Sequence, residues 1–215
     1  MINYTTVKAV IFDLDGVLVD TAIYHFQAWH RLAGQLGYSF SLADNEQLKG
    51  VSRVESLELI LKWAGLEKSE QEKAALLQQK NQWYLDLIEQ LNPGQLLPGS
   101  LDLLNKLREK HILIALGSAS KNALNILQKT GIVDYFDALI DGNVVQASKP
   151  DPEVFLKGAA ALGVAPSFCL VLEDAQAGID AAKAANMQVI GVGEADNLKG
   201  ADDIVANLGV LVDKF

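Results

Sequence analysis

Two carboxylates separated by a single residue, Asp13 and Asp15, close a short apolar run and are followed at once by Gly16. Carboxylates this close repel, so something must compensate them. A hard divalent cation held by oxygen does so, and Asp174, beside Glu173 at the end of another apolar run, could supply a third carboxylate. Mg2+ suits such a set because it takes few protein ligands and leaves room for phosphate and water. A carboxylate can also attack phosphorus and form an acyl phosphate that hands its phosphoryl group onward. That transfer is mostly positioning and charge neutralisation. A second carboxylate two residues away can exchange protons with the leaving and attacking hydroxyls. Alone, Asp-x-Asp-Gly is equally a turn or a calcium loop. The buried run before it, and two further runs that end in polar residues, favour the catalytic reading.

Other residues have the character of phosphate ligands. Ser118-Ala119-Ser120 follows an apolar run and precedes Lys121-Asn122 and a helical pattern. Hydroxyls and free amides at a helix start make a phosphate seat, although a plain N-cap by Ser120 fits as well. Lys149, ahead of Pro150, could neutralise phosphoryl oxygens as a point charge, or stand on the surface. Lys80 shares a helical face with Leu76, Leu77, Tyr84, Leu87 and Leu91, a costly place for a charge unless an anion meets it or the side chain snorkels out. Arg53 has the planar fork suited to phosphate and falls in the first turn of a helix, with Ser56 one turn on.

These groups need a frame. Lys8–Asp13, Ile112–Gly117 and Phe168–Leu172 read as buried strands, with weaker candidates at Ala138–Ile140 and Val189–Val192. Helical patterns lie between them. Asp151-Pro152-Glu153 reads as an N-cap, a proline at the first helical position and an acidic first turn, and Gly163 ends that helix. Strands alternating with helices imply an α/β fold with a doubly wound parallel sheet, whose ligands bind beyond the carboxyl ends of the strands. From about Thr21 to Asn92 the pattern is helical only. Phe26, Trp29, Leu32, Ala33 and Leu36 share one face, Gly37 ends the run, and Ser52 with Glu55 and Ser69 with Glu72 match capping boxes. The expected organisation is a core of 1–20 and 93–215 with an inserted α-helical cap of 21–92.

Bulk properties narrow the partners. The net charge of −9 over 215 residues argues against broad nucleic-acid or anionic-membrane binding. One cysteine excludes an internal disulfide; it fits a reducing cytosol, and Cys169 reads as a packed core thiol. No apolar run approaches the ~18 residues of a membrane helix, and no signal-peptide pattern opens the chain. A cytoplasmic monomer is expected. His30 and His111 have no partner pattern, and Trp29 and Trp63 fit core faces better than sugar platforms.

The run Ile11-Phe12-Asp13-Leu14-Asp15-Gly16-Val17 with Asp20-Thr21, then Ser118, Lys149-Pro150 and Glu173-Asp174, resembles the four motifs of the haloacid dehalogenase superfamily, in order over nearly the whole chain. The resemblance implies a Rossmann-like core with a helical cap, Asp13 as nucleophile and Asp15 as acid/base. It also implies Mg2+ at Asp13, the Asp15 carbonyl and Asp174, with Glu173 nearby. Tyr24-His25-Phe26, Leu48-Lys49-Gly50-Val51-Ser52-Arg53, Lys80-Asn81 and Ser118-Ala119-Ser120-Lys121-Asn122 narrow the likeness to the β-phosphoglucomutase family, which interconverts β-D-glucose 1-phosphate and glucose 6-phosphate through the 1,6-bisphosphate. That likeness places His25, the loop Lys49, Gly50, Val51, Ser52 and Arg53, Ser56 and Lys80 around the sugar and its non-transferring phosphate. Val19, where the family pattern suggests a hydroxyl, and Gly117, where it suggests alanine, depart from it. A phosphatase on the same scaffold is the nearest alternative. A non-catalytic metabolite-binding regulator is a third reading, against which the complete nucleophile and lysine set argues.

Overall fold

The computed structural model describes residues 2–194 and 198–215. Met1, at the head of the first core segment, and residues 195–197, within the second, lie outside it. Six strands form one sheet: β1 (Ala9–Phe12), β2 (Leu113–Gly117), β3 (Ala138–Ile140), β4 (Cys169–Glu173), β5 (Gln188–Val192) and β6 (Asp203–Val205). Their order is β3-β2-β1-β4-β5-β6 and every adjacent pair is parallel. The five expected strands are present. β6 is an addition whose three residues, one an exposed Asp203, carry no strand signature in the sequence.

The central strand shows why the sheet is wound on both faces. Val10 and Phe12 of β1 point into one hydrophobic cluster and Ala9 and Ile11 into another, and all four are fully buried. Side chains alternate across a strand, so an unbroken apolar run needs cover on both sides. α5 (Ser100–Glu109), α6 (Ala123–Thr130) and the C-terminal 3-10 turn Leu208–Lys214 supply one cover. α7 (Glu153–Leu162) and α8 (Gln176–Ala184) supply the other. The chain runs outward from β1 to β3 on one side and from β4 to β6 on the other. A crevice therefore opens at the carboxyl ends of β1 and β4.

Four helices are inserted between β1 and α5: α1 (Ala22–Gln35), α2 (Leu42–Glu46), α3 (Arg53–Ala64) and α4 (Glu70–Ile88). Both expected capping boxes are complete, Ser52 with Glu55 and Ser69 with Glu72. Two further ones occur at Ser41 with Asp44 and Asn92 with Gln95. Trp29, Leu32 and Ala33 join Phe40, Leu57 and Ile60 in a third apolar cluster, with Phe26 and Leu36 half-buried at its edge. The insertion is also continuous with the sheet: Ala28, Tyr84, Ile88 and Leu91 belong to the same cluster as Phe12. Of the described helices, none is long and apolar enough to cross a membrane.

The start of α7 corrects one expectation. Pro152 is the N-cap residue and Glu153 the first helical one, because Asp151 sits a residue too early; its carboxylate still accepts from the Glu153 amide at 2.9 Å. Gly163 ends the helix in a left-handed conformation, as expected.

Gly117 has a packing cause. A Cβ there would lie 2.9 Å from Phe155 Cδ1 and 3.1 Å from Ile11 Cγ2, and both side chains are fully buried. In this chain the Phe155 ring takes the space that an alanine methyl would fill. Gly117→Ala should destabilise the fold by about 1–3 kcal/mol in urea denaturation, and Phe155→Leu should recover part of the loss. An unchanged midpoint would show that the ring yields freely.

Candidate active site

The end of β1 turns within a few residues. Gly16 has φ +81°, its amide donates to the Val19 carbonyl at 3.0 Å, and the Leu18 amide donates to the Leu14 carbonyl at 3.0 Å. Glycine is required there twice over, for the conformation and for space: a Cβ would lie 2.2 Å from Asp174 Oδ2. The turn thus lets the Asp174 carboxylate of the β4 end lie against the backbone beside Asp15. Val19 is fully buried and bridges Asp15 to Leu96, which accounts for an apolar residue at that position.

Lys149 is the centre of the charge arrangement. Its Nζ donates to Asp13 Oδ1 at 2.5 Å and to Glu173 Oε1 at 2.6 Å, and it is buried. Burial alone would lower its pKa; Asp13 and Glu173 outweigh that and hold it above the usual lysine value. The surface reading of Lys149 is thereby excluded. Glu173 Oε2 accepts the Ala175 amide at 2.7 Å, so both Glu173 oxygens are engaged. In this state Glu173 orients the lysine. Gly178 is what makes room, since a Cβ there would lie 1.7 Å from Glu173 Oε1.

Asp15 accepts from the Thr21 hydroxyl, and its Oδ1 faces His25 Nε2 at 3.8 Å. Burial, with Asp13 adding to it, raises its pKa to about 6, which makes both protonation states accessible near neutrality. Lys80 is fully buried, so it does not snorkel. Its Nζ lies 2.9 Å from His25 Nδ1 and 4.4 Å from the centre of the Trp29 ring. Burial and the neighbouring Arg53 charge hold Lys80 well below the usual lysine value; burial and Lys80 do the same to His25. Among the described residues, neither Lys80 nor Arg53 forms an ion pair with a carboxylate. Both face a cavity of about 640 Å3 that also reaches Asp13, Asp15 and Asp174.

The remaining expected residues divide. Lys49, Gly50, Val51, Ser52, Ser56, Ser118, Ala119, Ser120 and Lys121 line that cavity. Lys49 bridges Glu46 at 3.1 Å and Asp174 at 3.5 Å. The Ser52 hydroxyl is occupied by its capping box, and that of Ser56 donates to the Ser52 carbonyl at 2.9 Å. Ser120 is not the N-cap of α6. Its hydroxyl accepts the Asn122 amide at 3.2 Å while Ser118 Oγ accepts the Ser120 amide at 3.1 Å. Asn122, expected at the phosphate, instead donates to Asn81 of α4 at 3.0 Å and does not line the cavity. Trp29 serves both packing and site, being buried yet part of the wall. The Val145–Ser148 loop and Asn45 also line the cavity, with no motif to announce them. Cys169 is a buried thiol whose pKa burial pushes up to about 11.

The donor chemistry fits Mg2+. Among the described residues no group of three or more His, Cys, Asp or Glu side chains is placed to hold a metal. Two carboxylates, Asp13 and Asp174, meet the Asp15 main chain at the Gly16 turn, and an ion that binds few protein ligands needs no more. Burial, Glu173 and Asp13 push Asp174 well above the usual carboxylate range, a cost that a cation between the carboxylates removes.

A family model described as haloacid dehalogenase-like hydrolase matches residues 7–186. The chain belongs to the haloacid dehalogenase-like family. Within it, the chain is 48% identical over 200 residues to β-phosphoglucomutase of Bacillus subtilis, covering 92% of this chain and 88% of that protein. It is 31% identical over 186 residues to a phosphorylated carbohydrates phosphatase of Thermotoga maritima, covering 85% and 83%. The crystal structure of β-phosphoglucomutase from Clostridium difficile superposes with a TM-score of 0.92 at 44% identity, covering 95% of this chain and 93% of that one.

In this haloacid dehalogenase-like chain the buried Lys80 should lower stability. The unfolded chain binds a proton at Lys80 up to its ordinary pKa, the folded chain only to a lower pH, so stability rises with pH between the two values. Lys80→Met should melt higher at neutral pH and lose that rise, while losing turnover of sugar phosphates. A lower melting temperature at pH 7 would show that Lys80 is a net stabiliser.

Proposed function

We propose that the protein is a β-phosphoglucomutase, an intramolecular phosphotransferase interconverting β-D-glucose 1-phosphate and glucose 6-phosphate through β-glucose 1,6-bisphosphate. The observation that carries this reading is the cavity itself. It joins a nucleophile clamped by a buried lysine to two cations, Lys80 and Arg53, that have no carboxylate partner among the described residues. The sequence likeness to the Bacillus enzyme over nearly the full length of both proteins supports it.

Asp13 acts as nucleophile. Lys149 holds its Oδ1, and the other oxygen attacks phosphorus as the bond from phosphorus to the sugar oxygen breaks. Asp15 donates a proton to that leaving oxygen. In the other half of the cycle phosphorylated Asp13 gives its phosphoryl group to the 6-hydroxyl of β-glucose 1-phosphate, whose proton Asp15 takes, and the bisphosphate so formed reorients and returns its 1-phosphoryl group to Asp13. Mg2+ would be held by Asp13, Asp174 and the Asp15 carbonyl, and supplies charge neutralisation at the phosphoryl oxygens. Residues 21–92 act as the cap, with Arg53 on the far phosphate and Lys80 and His25 beside the sugar. Ser118, Ser120 and Lys121 hold phosphate from the core side. The cap excludes water while Asp13 carries its phosphoryl group.

The phosphatase reading draws on the Thermotoga relative. The two separate on products. β-Glucose 1-phosphate with a trace of the 1,6-bisphosphate should give glucose 6-phosphate with little free phosphate, and the α-anomer should be poorly used. Phosphate release equal to or above isomerisation would move the protein to the phosphatase reading. Asp13→Asn should fold normally by circular dichroism and lose transfer. Chelation should stop turnover and Mg2+ restore it; activity that survives thorough chelation would exclude the metal.

A further inference from the structure

We propose that the side-chain amide of Asn45 is a specificity-determining group that recognises a ring hydroxyl of the sugar. The proposal rests on the sugar-phosphate reading of the cavity and deepens it by naming what the insertion recognises besides phosphate. Asn45 lies on the short helix α2, whose polarity is inverted. Leu42 is 68% exposed, whereas Asn45 is 8% exposed and is the one buried residue of that helix. Its backbone is committed to local structure: the amide donates to the Ser41 carbonyl at 3.1 Å, and the carbonyl accepts from Leu48 at 3.0 Å. Its side chain has no hydrogen-bond partner among the described residues, and it lines the cavity. Tyr84 Oη is the one side-chain polar atom among the described residues that is both enclosed and unpartnered, so the Asn45 amide is not enclosed but opens onto the cavity. An apolar side chain of similar size would fill the place without leaving an amide unpaired.

Donor and acceptor chemistry names the group it meets. A side-chain amide offers N–H donors and a carbonyl acceptor together. A phosphate oxygen mainly accepts and would face the amide carbonyl unfavourably, and the cavity already presents Arg53, Lys80 and Lys121 for phosphate. A hydroxyl donates and accepts, as the amide does. The wall beside Asn45 is suited to the rest of a sugar ring, because Trp29, Leu48, Val51 and Leu77 also line the cavity and offer apolar surface to its C–H faces. A site built to hydrogen-bond a hydroxyl rejects an analogue that lacks it, since the amide is then left unpaired in the filled site. Arg53 and Lys80 serve any phosphate ester; Asn45 distinguishes one sugar from another.

The experiment measures calorimetric binding of glucose 6-phosphate to the full-length protein, to Asn45→Leu and to Asn45→Ala, and repeats it with analogues lacking the 1-, 2-, 3- or 4-hydroxyl in turn. Asn45→Leu should melt at or above the wild-type temperature, because no hydrogen bond within the protein is lost. Its dissociation constant for glucose 6-phosphate should rise about tenfold, equivalent to about 1.4 kcal/mol. One deoxy analogue should bind the wild type about tenfold more weakly than glucose 6-phosphate does, and should bind the variants no more weakly than the wild type. That non-additivity is the mark of a direct contact between amide and hydroxyl. Asn45→Ala should repeat the pattern, so the result does not depend on how leucine packs. An unchanged affinity, an equal loss on every analogue, or a lower melting temperature for Asn45→Leu would overturn the proposal, as would a wild type that binds none of these sugars. Phosphate release in place of isomerisation would remove the mutase reading alone, because no turnover enters the binding test.

Discussion

The arrangement depends on one buried ammonium group. Lys149 sits between Asp13 and Glu173, out of contact with water, and each of the three would be costly in that place without the others. A buried charge cluster of this kind tolerates little displacement, and the sequence around it is shaped accordingly. Gly178 leaves the space that the Glu173 carboxylate occupies, and Gly16 leaves the space for Asp174. Phe155 packs under the lysine, its ring centre 4.9 Å from Nζ, and needs Gly117 on the neighbouring strand to fit. A chain of close contacts thus runs from the sheet interior to Asp13. Its purpose is to aim one carboxylate oxygen while tying the other down.

The helical insertion works on a different principle. Two of its cavity-facing cations are undercompensated in the state described. Lys80 meets a histidine and two aromatic rings in place of an acid, and Arg53 has no carboxylate partner among the described residues. Lys80, buried, and Arg53, half-buried, store without an anion unfavourable free energy that an entering phosphate would relieve. This differs from the core, where the negative charges already have a lysine. The two halves of the cavity are therefore prepared for different parts of a sugar phosphate.

What could be read from the sequence follows from how local each constraint is. Asp13, Asp15 and Asp174 were legible because a strand end and the chemistry beside it lie within a few residues. Lys80 was legible because a charge inside an apolar helical stripe violates a periodicity. Lys149 was ambiguous alone; its burial depends on partners 136 and 24 residues away. The contact of Glu173 with Lys149 was not legible, since adjacency to Asp174 does not tell which way a side chain turns. The contact of Asn122 was hidden for the same reason, its partner Asn81 being 41 residues distant. Gly178 left no trace at all, because a glycine in helical conformation looks like any helix residue until the atom opposite it is known. The short β6 lacked the length and apolar content that mark a strand, and α2 hid its cap behind an aspartate where glutamate is the usual sign.

Asp15 is where the two halves meet, and this constrains how the protein can work. Its main chain belongs to the β1 turn, beside the nucleophile and the proposed cation. Its side chain is held by Thr21 at the entry to α1 and faces His25 on the same helix. A displacement of the insertion relative to the sheet cannot leave that carboxylate untouched, whereas Asp13, fixed by Lys149 from within the core, is insulated from it. On the proposed mechanism, sugar binding under α1 and α4 would therefore act on Asp15 without disturbing Asp13. On the same proposal, water reaching phosphorylated Asp13 would bring no phosphate to Arg53 and nothing to Lys80. Discrimination between a sugar hydroxyl and water, on this account, resides in the coupling of Asp15 to the insertion rather than in the nucleophile. It is a use of remote binding energy at the reacting centre that a rigid pocket of the same residues could not achieve.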